Sequence, residues 1–212
     1  EITISNYQAD LSFPTVVCVG ELVEFTDNST AGANQWDWNF GGQGSSSTQD
    51  PSFTFAAPGV YNIQLSSDNT ISGCSGSIAA DITVEATPSP SFTSDITTDC
   101  SPATVNFINT SAGGVEYLWD FGNGQTFSGE NPPSQTYNSS GSYTVSLSMV
   151  TANGCSGVTT IVDYINIEEI LPYVVADVTG GCNPLDVLFS DTSSAPNPLN
   201  PITSWEWDFG NG

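Results

Sequence analysis

Residues Trp119-Asp120-Phe121-Gly122-Asn123-Gly124 occur again as Trp207-Asp208-Phe209-Gly210-Asn211-Gly212, and a variant, Trp38-Asn39-Phe40-Gly41-Gly42, comes earlier in the chain. Alternation along a β-strand places Tyr117, Trp119 and Phe121 on one face, and Leu118 and Asp120 on the other. The Gly-Asn-Gly sequence that follows favours the positive φ angles of a tight hairpin turn. The repeated stretch therefore predicts a strand that ends in a turn, once in each of three repeats.

The flanking sequence repeats with the same long period. Cys18, Cys100 and Cys182 follow one another at intervals of 82 residues. The segment Gly59-Val60-Tyr61-Asn62-Ile63-Gln64-Leu65 returns 82 residues later as Gly141-Ser142-Tyr143-Thr144-Val145-Ser146-Leu147. A repeat of this length can close a hydrophobic core of its own. We therefore expect tandem β-modules.

We predict an all-β fold with six strands in each complete repeat, because no part of the chain has the apolar periodicity of a helix. Residues 1–6 are interpreted as the last strand of a preceding repeat. The complete repeats occupy residues 7–86 and 87–170, and residues 171–212 begin a third repeat with an inserted segment at 195–201. Half a β-sandwich would leave an apolar face in water, so we expect these residues to belong to a longer array.

The charge composition excludes several classes of partner. The chain has 23 acidic residues and no Lys, Arg or His, which gives a formal net charge of −23 at pH 7. Nothing in the chain can neutralise phosphates, so nucleic acid is excluded as a partner, and an anionic membrane surface repels the chain. No apolar run is long enough to insert into a bilayer. The hydrophobic fraction of 38% is sufficient for globular cores.

The composition also argues against catalysis. Without His or Lys, the remaining route is a pair of carboxylates that act as general acid and base. The candidate acids Asp37, Asp120 and Asp208 each occur once per repeat at a strand position, which favours a structural role. We predict that the chain is not an enzyme.

The tryptophans have two interpretations. They could form a platform on which sugars stack, but their regular recurrence on one strand face fits a hydrophobic core better. We predict that Trp38, Trp119 and Trp207 lie in the core, and we favour the core for Trp36 and Trp205 as well.

The five cysteines predict disulfides within the repeats. The matched spacing suggests the pairs Cys18–Cys74 and Cys100–Cys155, and the partner of Cys182 is expected beyond Gly212. Zinc is the competing interpretation, but the chain lacks paired C-x₂-C spacing and has no His. Regular disulfides indicate a compartment outside the reducing cytosol.

Three motifs together resemble the PKD (polycystic kidney disease) domain family. They are the Trp-Asp-Phe-Gly-Asn-Gly stretch, the Gly-x-Tyr-x-Val-x-Leu strand downstream of it, and the Val-x-Phe-x-Asn/Asp-x-Ser segment upstream of it. The resemblance covers essentially the whole chain and implies tandem immunoglobulin-like β-sandwiches. The sequence departs from the family signature at Asn39, Asn123 and Asn211, where Asp is usual, and in its lack of basic residues.

The resemblance implies structural roles for the aromatic, acidic and glycine residues of these motifs. They are Trp38, Phe40, Trp119, Asp120, Phe121, Gly122, Gly124, Trp207, Asp208, Phe209 and Gly210, with Tyr61 and Tyr143 from the downstream strand. Some PKD domains of secreted collagenases bind calcium through an acidic loop before the Trp strand. The corresponding loops here, residues 28–34 and 110–114, contain no acidic residue. We therefore predict no coordinated metal and no cofactor, with only diffuse association of Ca²⁺ with the acidic surface.

Two functions from different classes follow from the resemblance. The cysteine-bearing repeats are similar to PKD arrays in surface and secreted proteins of Bacteroidetes, including large gliding-motility and adhesion proteins exported by the type IX system. The first hypothesis is therefore a structural stalk or fibre segment of a large extracellular adhesin or cell-surface filament. The alternative is a spacer or glycan-binding accessory module of a secreted hydrolase. The expected partners are neighbouring repeats of the same chain, copies of the chain in a fibre, and a surface or glycan ligand bound elsewhere in the protein.

Overall fold

The computed structural model describes residues 7–30, 32–195 and 201–210. The strand predicted at residues 1–6, most of the insertion at 195–201 and the last two residues of the third motif lie outside this range. Within the described residues every regular element is a β-strand, and none is a helix that could cross a membrane. The predicted all-β fold is confirmed.

Nine strands form the first repeat. They are β1 (Leu11–Ser12), β2 (Val16–Cys18), β3 (Leu22–Glu24), β4 (Thr26–Asp27), β5 (Gln35–Phe40), β6 (Ser45–Ser46), β7 (Ser52–Thr54), β8 (Gly59–Asn69) and β9 (Cys74–Glu85). One sheet has the order β2-β9-β8-β5-β6, and the pairs β1-β4 and β3-β7 complete the repeat. The long strands β8 and β9 form an antiparallel hairpin from Gly59↔Val84 to Asn69↔Cys74.

The second repeat has the same order of strands. They are β10 (Phe92–Ser94), β11 (Thr98–Cys100), β12 (Ala103–Val105), β13 (Phe107–Asn109), β14 (Gly114–Asp120), β15 (Thr126–Ser128), β16 (Gln135–Tyr137), β17 (Gly141–Thr151) and β18 (Ser156–Glu168). The five-stranded sheet has the order β11-β18-β17-β14-β15, with the pairs β10-β13 and β12-β16. Two further strands, β19 (Val174–Ala176) and β20 (Phe189–Asp191), pair with each other in the third repeat.

The aromatic strand β14 shows the predicted alternation. Tyr117 is 8% exposed and Trp119 and Phe121 are fully buried, whereas Leu118 on the other face is 50% exposed. In the first repeat Trp38 and Phe40 are buried in the same way. The period-2 pattern of the sequence therefore identified the core face of both repeats correctly.

The prediction of six strands per repeat missed β6 and β15, merged β3 with β4 and β12 with β13, and missed β2 and β11. The last two strands affect the disulfides. Each has three residues and lies parallel to the last strand of its repeat, with Cys18 opposite Glu85 and Cys100 opposite Glu168. A three-residue strand has no measurable periodicity, and a parallel partner distant in sequence leaves no hairpin signal. These two strands carry the first cysteine of each repeat, so the omission affected the predicted disulfides.

The chain divides into two compact units whose limits do not coincide with the sequence repeats. The first unit extends to Ser89 and also includes Gly113–Val115 and Met149–Gly157 of the second repeat. The second unit contains Pro90–Ala112, Glu116–Ser148 and the chain from Val158 onward. The turn between β17 and β18 therefore belongs, by its contacts, to the first unit.

Candidate functional site

Each complete repeat is built around an aromatic triad, which consists of the motif Trp and Phe and one Phe from an upstream strand. In the first repeat the ring centroid of Phe25 lies 5.8 Å from that of Trp38 and 5.0 Å from that of Phe40. In the second repeat the ring of Phe107 lies 6.1 Å from Trp119 and 5.1 Å from Phe121. Because these rings are buried, they are not available as a platform for sugars.

The indole N–H groups of the two motif tryptophans donate hydrogen bonds to equivalent backbone carbonyl oxygens. The Nε1–H of Trp38 donates to the carbonyl oxygen of Thr48 at 3.1 Å, and that of Trp119 donates to the carbonyl oxygen of Gly129 at 3.1 Å. A buried indole N–H without an acceptor would cost free energy, so these bonds tie the strand to the segment that follows its turn.

The third copy of the triad has the same internal geometry but remains open to solvent. The rings of Trp207 and Phe209 stack at 5.9 Å, and Phe189 lies 5.1 Å from Phe209. These three side chains are 41–57% exposed, so the predicted core position of Trp207 does not hold in the described residues. In the first repeat the triad shares its core with Ile63 and Leu65 of β8 and with Ile82 and Val84 of β9. In the described residues of the third repeat, β19 and β20 form a two-stranded sheet, which buries the rings less.

Trp36 and Trp205 differ from each other in burial, and Trp36 packs against the core of the first repeat. Trp36 is half-buried and donates its Nε1–H to Oδ2 of Asp27 at 2.7 Å. Trp205 is 54% exposed and donates to Oδ2 of Asp191 at 2.6 Å. The core position that the sequence favoured for Trp205 is therefore wrong. Hydrogen bonds from the side chain and backbone of Ser193 hold the pKa of Asp191 below its ordinary value, and the bond from Trp205 adds to this effect.

The motif acids stabilise the turns. Oδ1 of Asp120 accepts a hydrogen bond from the backbone N–H of Gly122 at 2.9 Å, and Oδ1 of Asp208 accepts one from Gly210 at 2.8 Å. Gly122 has a φ of +72° and Gly124 has a φ of +84°, as the predicted hairpin turn requires. These acids act as Asx-type turn residues, and nothing in their geometry pairs them for acid–base chemistry.

Asn39 fills the position of Asp120 in the first repeat. Its Oδ1 accepts a hydrogen bond from the N–H of Gly42 at 2.8 Å. Asp37, which the sequence analysis grouped with Asp120, lies two residues before Asn39 on the same exposed face of β5. The grouping of Asp37 with Asp120 and Asp208 was therefore wrong by two residues.

The tyrosines of the downstream strands make the same local bond in both repeats. The hydroxyl of Tyr61 donates to the carbonyl oxygen of Ala57 at 2.9 Å, and that of Tyr143 donates to the carbonyl oxygen of Ser139 at 2.7 Å. A bond from a tyrosine to the backbone four residues upstream is the tyrosine corner found in immunoglobulin-like sandwiches.

Tyr137 is a core residue that the sequence analysis missed. It is 1% exposed, and its hydroxyl donates to the carbonyl oxygen of Phe121 at 2.9 Å. Burial raises the pKa of Tyr137 well above its ordinary value, with smaller contributions from Tyr143 and Asp120. The equivalent residue of the first repeat is Phe55, and the 82-residue period would have identified the substitution.

The predicted pairs Cys18–Cys74 and Cys100–Cys155 are wrong. The structure forms one disulfide, between Cys18 and Cys155, with a Cα–Cα distance of 5.5 Å and a sequence separation of 137 residues. Both cysteines lie in the first unit. The bond connects β2 of the first repeat to the turn that precedes β18 of the second repeat.

The positions of the cysteines along the last strand explain why the intra-repeat pairs cannot form. Cys74 is the first residue of β9, and Cys18 lies beside Glu85 at the opposite end of that strand. Eleven residues of strand span about 36 Å at roughly 3.3 Å per residue, whereas a disulfide requires Cα atoms within about 7 Å. Cys155 and Cys100 are separated along β18 in the same way.

A polar contact accompanies the disulfide. Nδ2 of Asn153, in the same turn as Cys155, donates to Oε1 of Glu85 at 2.6 Å. Cys155 itself is only 1% exposed. Sequence analysis did not identify Asn153 or Glu85; the available signal was that Glu85 and Glu168 both end the last strand of their repeats.

Three cysteines in the described part of the chain carry free thiols. Cys74 and Cys100 are half-buried and Cys182 is exposed. In the sequence repeat Cys100 corresponds to the bonded Cys18 (100 − 18 = 82), and Cys74 corresponds to the bonded Cys155 (155 − 74 = 81). The described residues contain no group of three or more Cys, Asp or Glu side chains arranged to hold a metal ion.

The comparisons with known proteins identify the repeats. The family model for the PKD domain matches residues 7–84 and 85–167. The comparison with curated protein sequences gave no match.

Solved structures with a similar fold come from several sources. The PKD1 domain of the Vibrio cholerae metalloprotease PrtV is 21% identical, covers 37% of this chain and 96% of its own length, and has a TM-score of 0.33. The fibronectin(III)-like modules of Clostridium thermocellum CbhA are 10% identical over 74% of this chain and 95% of theirs, with a TM-score of 0.38. Three N-terminal domains of the bacteriophage RB49 outer capsid protein Hoc are 11% identical. The match covers 89% of this chain and 69% of theirs, with a TM-score of 0.39.

Proposed function

The chain belongs to the PKD domain family, and from that premise we propose that it is a structural segment of a large extracellular adhesin or cell-surface filament, used in adhesion or gliding motility. PKD domains are typically extracellular and non-catalytic. In this role the segment holds another part of the protein away from the cell, and its partners are the neighbouring repeats and other copies in a fibre. A surface or glycan ligand is bound elsewhere in the protein.

The observation that carries this proposal is the Cys18–Cys155 disulfide. Cys18 belongs to the first repeat and Cys155 to the second, so a covalent bond joins the two repeats in addition to the backbone between them. Tension applied to the ends of the chain is transmitted from Cys18 to Cys155 through this bond. The residues between the two cysteines are thereby protected from being pulled out, which is what a segment under tension needs.

The composition supports the same role. A net charge of −23 without any basic side chain keeps the segment extended and away from anionic envelopes, and it makes side-by-side association of copies in a fibre depend on cations. The buried motif aromatics and the turn-forming acids have structural roles, and the described residues hold no metal cluster. We propose that calcium associates with the surface diffusely and that the segment uses no cofactor.

Single-molecule stretching tests the mechanical role directly. Pulling on the termini of the oxidised chain should leave the stretch from Cys18 to Cys155, a sequence separation of 137, inextensible. Reduction with a thiol should add about 47 nm of contour length, at roughly 3.4 Å per residue. A Cys18→Ser chain should show the longer extension without reduction. Equal extensions before and after reduction would contradict a covalent path for tension.

Localisation of the native protein distinguishes the proposal from the alternative. Antibodies against residues 7–167 should label thin surface threads on intact cells. Labelling of a compact secreted particle that co-purifies with hydrolase activity would instead support a spacer or glycan-binding accessory module of a secreted hydrolase.

A further inference from the structure

In each complete repeat, the strand that carries the first cysteine pairs with the end of the last strand. This pairing is the same in both repeats. Cys18 pairs with Glu85, and Cys100 pairs with Glu168, as direct register partners of parallel strands. The backbone beyond them also matches, because the N–H of Val19 donates to the carbonyl oxygen of Glu85 at 2.9 Å, and that of Ser101 to Glu168 at 2.9 Å. The two Cys–Glu pairs are therefore equivalent sites.

The site of the first repeat is occupied. The sulfur of Cys18 is bonded to Cys155, and Oε1 of Glu85 accepts the hydrogen bond from Asn153. Both groups come from one turn, residues 151–155, which we call the Gly-Cys turn of the second repeat. Gly154, between Asn153 and Cys155, has a φ of +87°, a conformation that favours glycine.

The site of the second repeat has the same groups without these partners. Cys100 is a half-buried free thiol. Oε2 of Glu168 is buried and has no hydrogen-bond partner within the described part of the chain. A buried carboxylate oxygen without a donor is unfavourable, because it has lost its water and gained nothing in exchange. Oε2 of Glu168 thus lacks a donor, whereas its counterpart Glu85 receives one from Asn153.

The space beside this site is open. A depression of about 430 Å³ is lined by Ser101 and Glu169, which follow Cys100 and Glu168 in the chain, and by Asn138, Ser139, Ser140 and Ile170. All of these residues belong to the second unit. Its lining of hydroxyl, amide and carboxylate groups suits a polar backbone turn better than an apolar ligand.

We propose that Cys100 and Glu168 form an acceptor site for a Gly-Cys turn of the kind that residues 151–155 present to Cys18 and Glu85, when a complete repeat follows the second one. A disulfide then forms between Cys100 and the cysteine of that turn, and a polar side chain two residues before this cysteine donates to Glu168. The inference comes from the internal equivalence of the two sites, and it does not rest on the proposed function.

The bond forms by thiol–disulfide exchange with a small-molecule disulfide such as oxidised glutathione. The thiolate of the turn attacks this disulfide, which releases one small thiolate and forms a mixed disulfide. The thiolate of Cys100 then attacks the sulfur of the turn and releases the second small thiolate. The two protein thiols are oxidised to one disulfide while one small-molecule disulfide is reduced to two thiols.

The sequence offers a direct way to complete the third repeat for a test. Residues 207–212 are identical to residues 119–124, so residues 125–170 can be added after Gly212 in the order in which they follow Gly124. The extended chain is refolded in a glutathione redox buffer and mapped without reduction, using proteases that cut at acidic or aromatic residues because the chain has no Lys or Arg. The expected result is a linked peptide that joins Cys100 to the added copy of Cys155.

Thiol titration gives a second readout. The 212-residue chain should have three titratable thiols, and the extended chain should have two, because one cysteine is added and two are consumed. Cys100→Ser in the extended chain should restore three. Cys182→Ser should leave the new link intact. Glu168→Gln should shift the glutathione equilibrium against the new link several-fold, whereas the matched control Glu169→Gln should not.

Three outcomes would overturn the proposal: a link between Cys182 and the added cysteine, disulfides between molecules, or a Cys100 that stays free in the folded extended chain. A second variant protects against poor folding of the added half-repeat. In it, residues 171–212 are replaced by a complete copy of residues 87–170, every one of which has a folded counterpart in the second repeat. A free Cys100 in that chain overturns the proposal as well.

Discussion

The first and second repeats have the same strands and the same aromatic triad, but they differ at the end of the last strand. In the first repeat Cys18 and Glu85 are bound by a neighbouring turn, whereas in the second repeat Cys100 is free and Glu168 has an unpaired oxygen. The interior of each repeat is thus complete by itself, and the cysteine end is completed by another repeat. Variants that act on the interior should therefore affect the two repeats equally, and variants at the cysteine end should not.

The largest effect is expected in the interior. Trp38→Ala and Trp119→Ala should each lower the free energy of unfolding of their own repeat by about 3–5 kcal/mol, because each removes a fully buried indole from a packed triad. Trp207→Ala, which truncates a 41% exposed side chain, is the control and should cost less than about 1 kcal/mol. Hydrogen exchange resolved by repeat is the measurement. If only one of the two substitutions, Trp38→Ala or Trp119→Ala, lowered the free energy of unfolding of its repeat, the interiors of the two repeats would not be equivalent.

The second effect separates the two cysteine ends. Cys18→Ser should destabilise the 212-residue chain by about 2–4 kcal/mol, because the unfolded chain is no longer restrained by a cross-link. Cys100→Ser, the matched substitution in the second repeat, should change stability by less than about 0.5 kcal/mol. Urea unfolding of both variants under oxidising conditions checks this. Equal effects of the two substitutions would show that the Cys18–Cys155 bond does not distinguish the repeats.

A smaller difference lies in the core of the second repeat. Tyr137→Phe should cost about 1 kcal/mol, because it removes the hydrogen bond to the carbonyl oxygen of Phe121. The first repeat has Phe55 at this position and should be unaffected. Its Phe40 carbonyl oxygen accepts a bond from the N–H of Gln43 instead, at 3.2 Å. Hydrogen exchange should therefore change in the second repeat only.

The same residue gives a dependence on pH. The folded protein holds the pKa of Tyr137 above that of the unfolded chain, which is about 10. The stabilisation of the neutral phenol is fully present below pH 10, and it decreases at higher pH because the unfolded state then loses its proton first. The stability of the parent chain should thus fall more steeply above pH 10 than that of Tyr137→Phe. Parallel curves would contradict the assignment to Tyr137.

The smallest effect is expected at the turns. Asp120→Asn and Asn39→Asp should each change stability by less than about 0.5 kcal/mol, because both side chains offer a carbonyl-type oxygen to a backbone N–H of the turn. Denaturant unfolding of the two variants provides the measurement. A loss of more than about 1 kcal/mol in either variant would show that the charge, and not the hydrogen bond, determines the role of this position.

The family and the core were predictable because they depend on short-range pattern. Trp119, Phe121 and Tyr117 alternate along one strand, so their shared face follows from backbone geometry without any knowledge of the neighbours. The turn glycines and the downstream Tyr61 and Tyr143 are local in the same sense. Trp207 was different, because its burial depends on strands that must be present to cover it.

The sequence alone determined the all-β class, the repeat period and the buried aromatic face, since each is set by residues within a few positions of one another or by direct repetition. The tertiary structure alone decided which cysteines meet. Cys18 and Cys74 belong to the same repeat, but they lie at opposite ends of β9, while Cys155 from the next repeat lies within bonding distance of Cys18. Disulfide bonding depends on distance in space over a few ångströms, and equal spacing in sequence carries no information about which end of a strand each cysteine occupies.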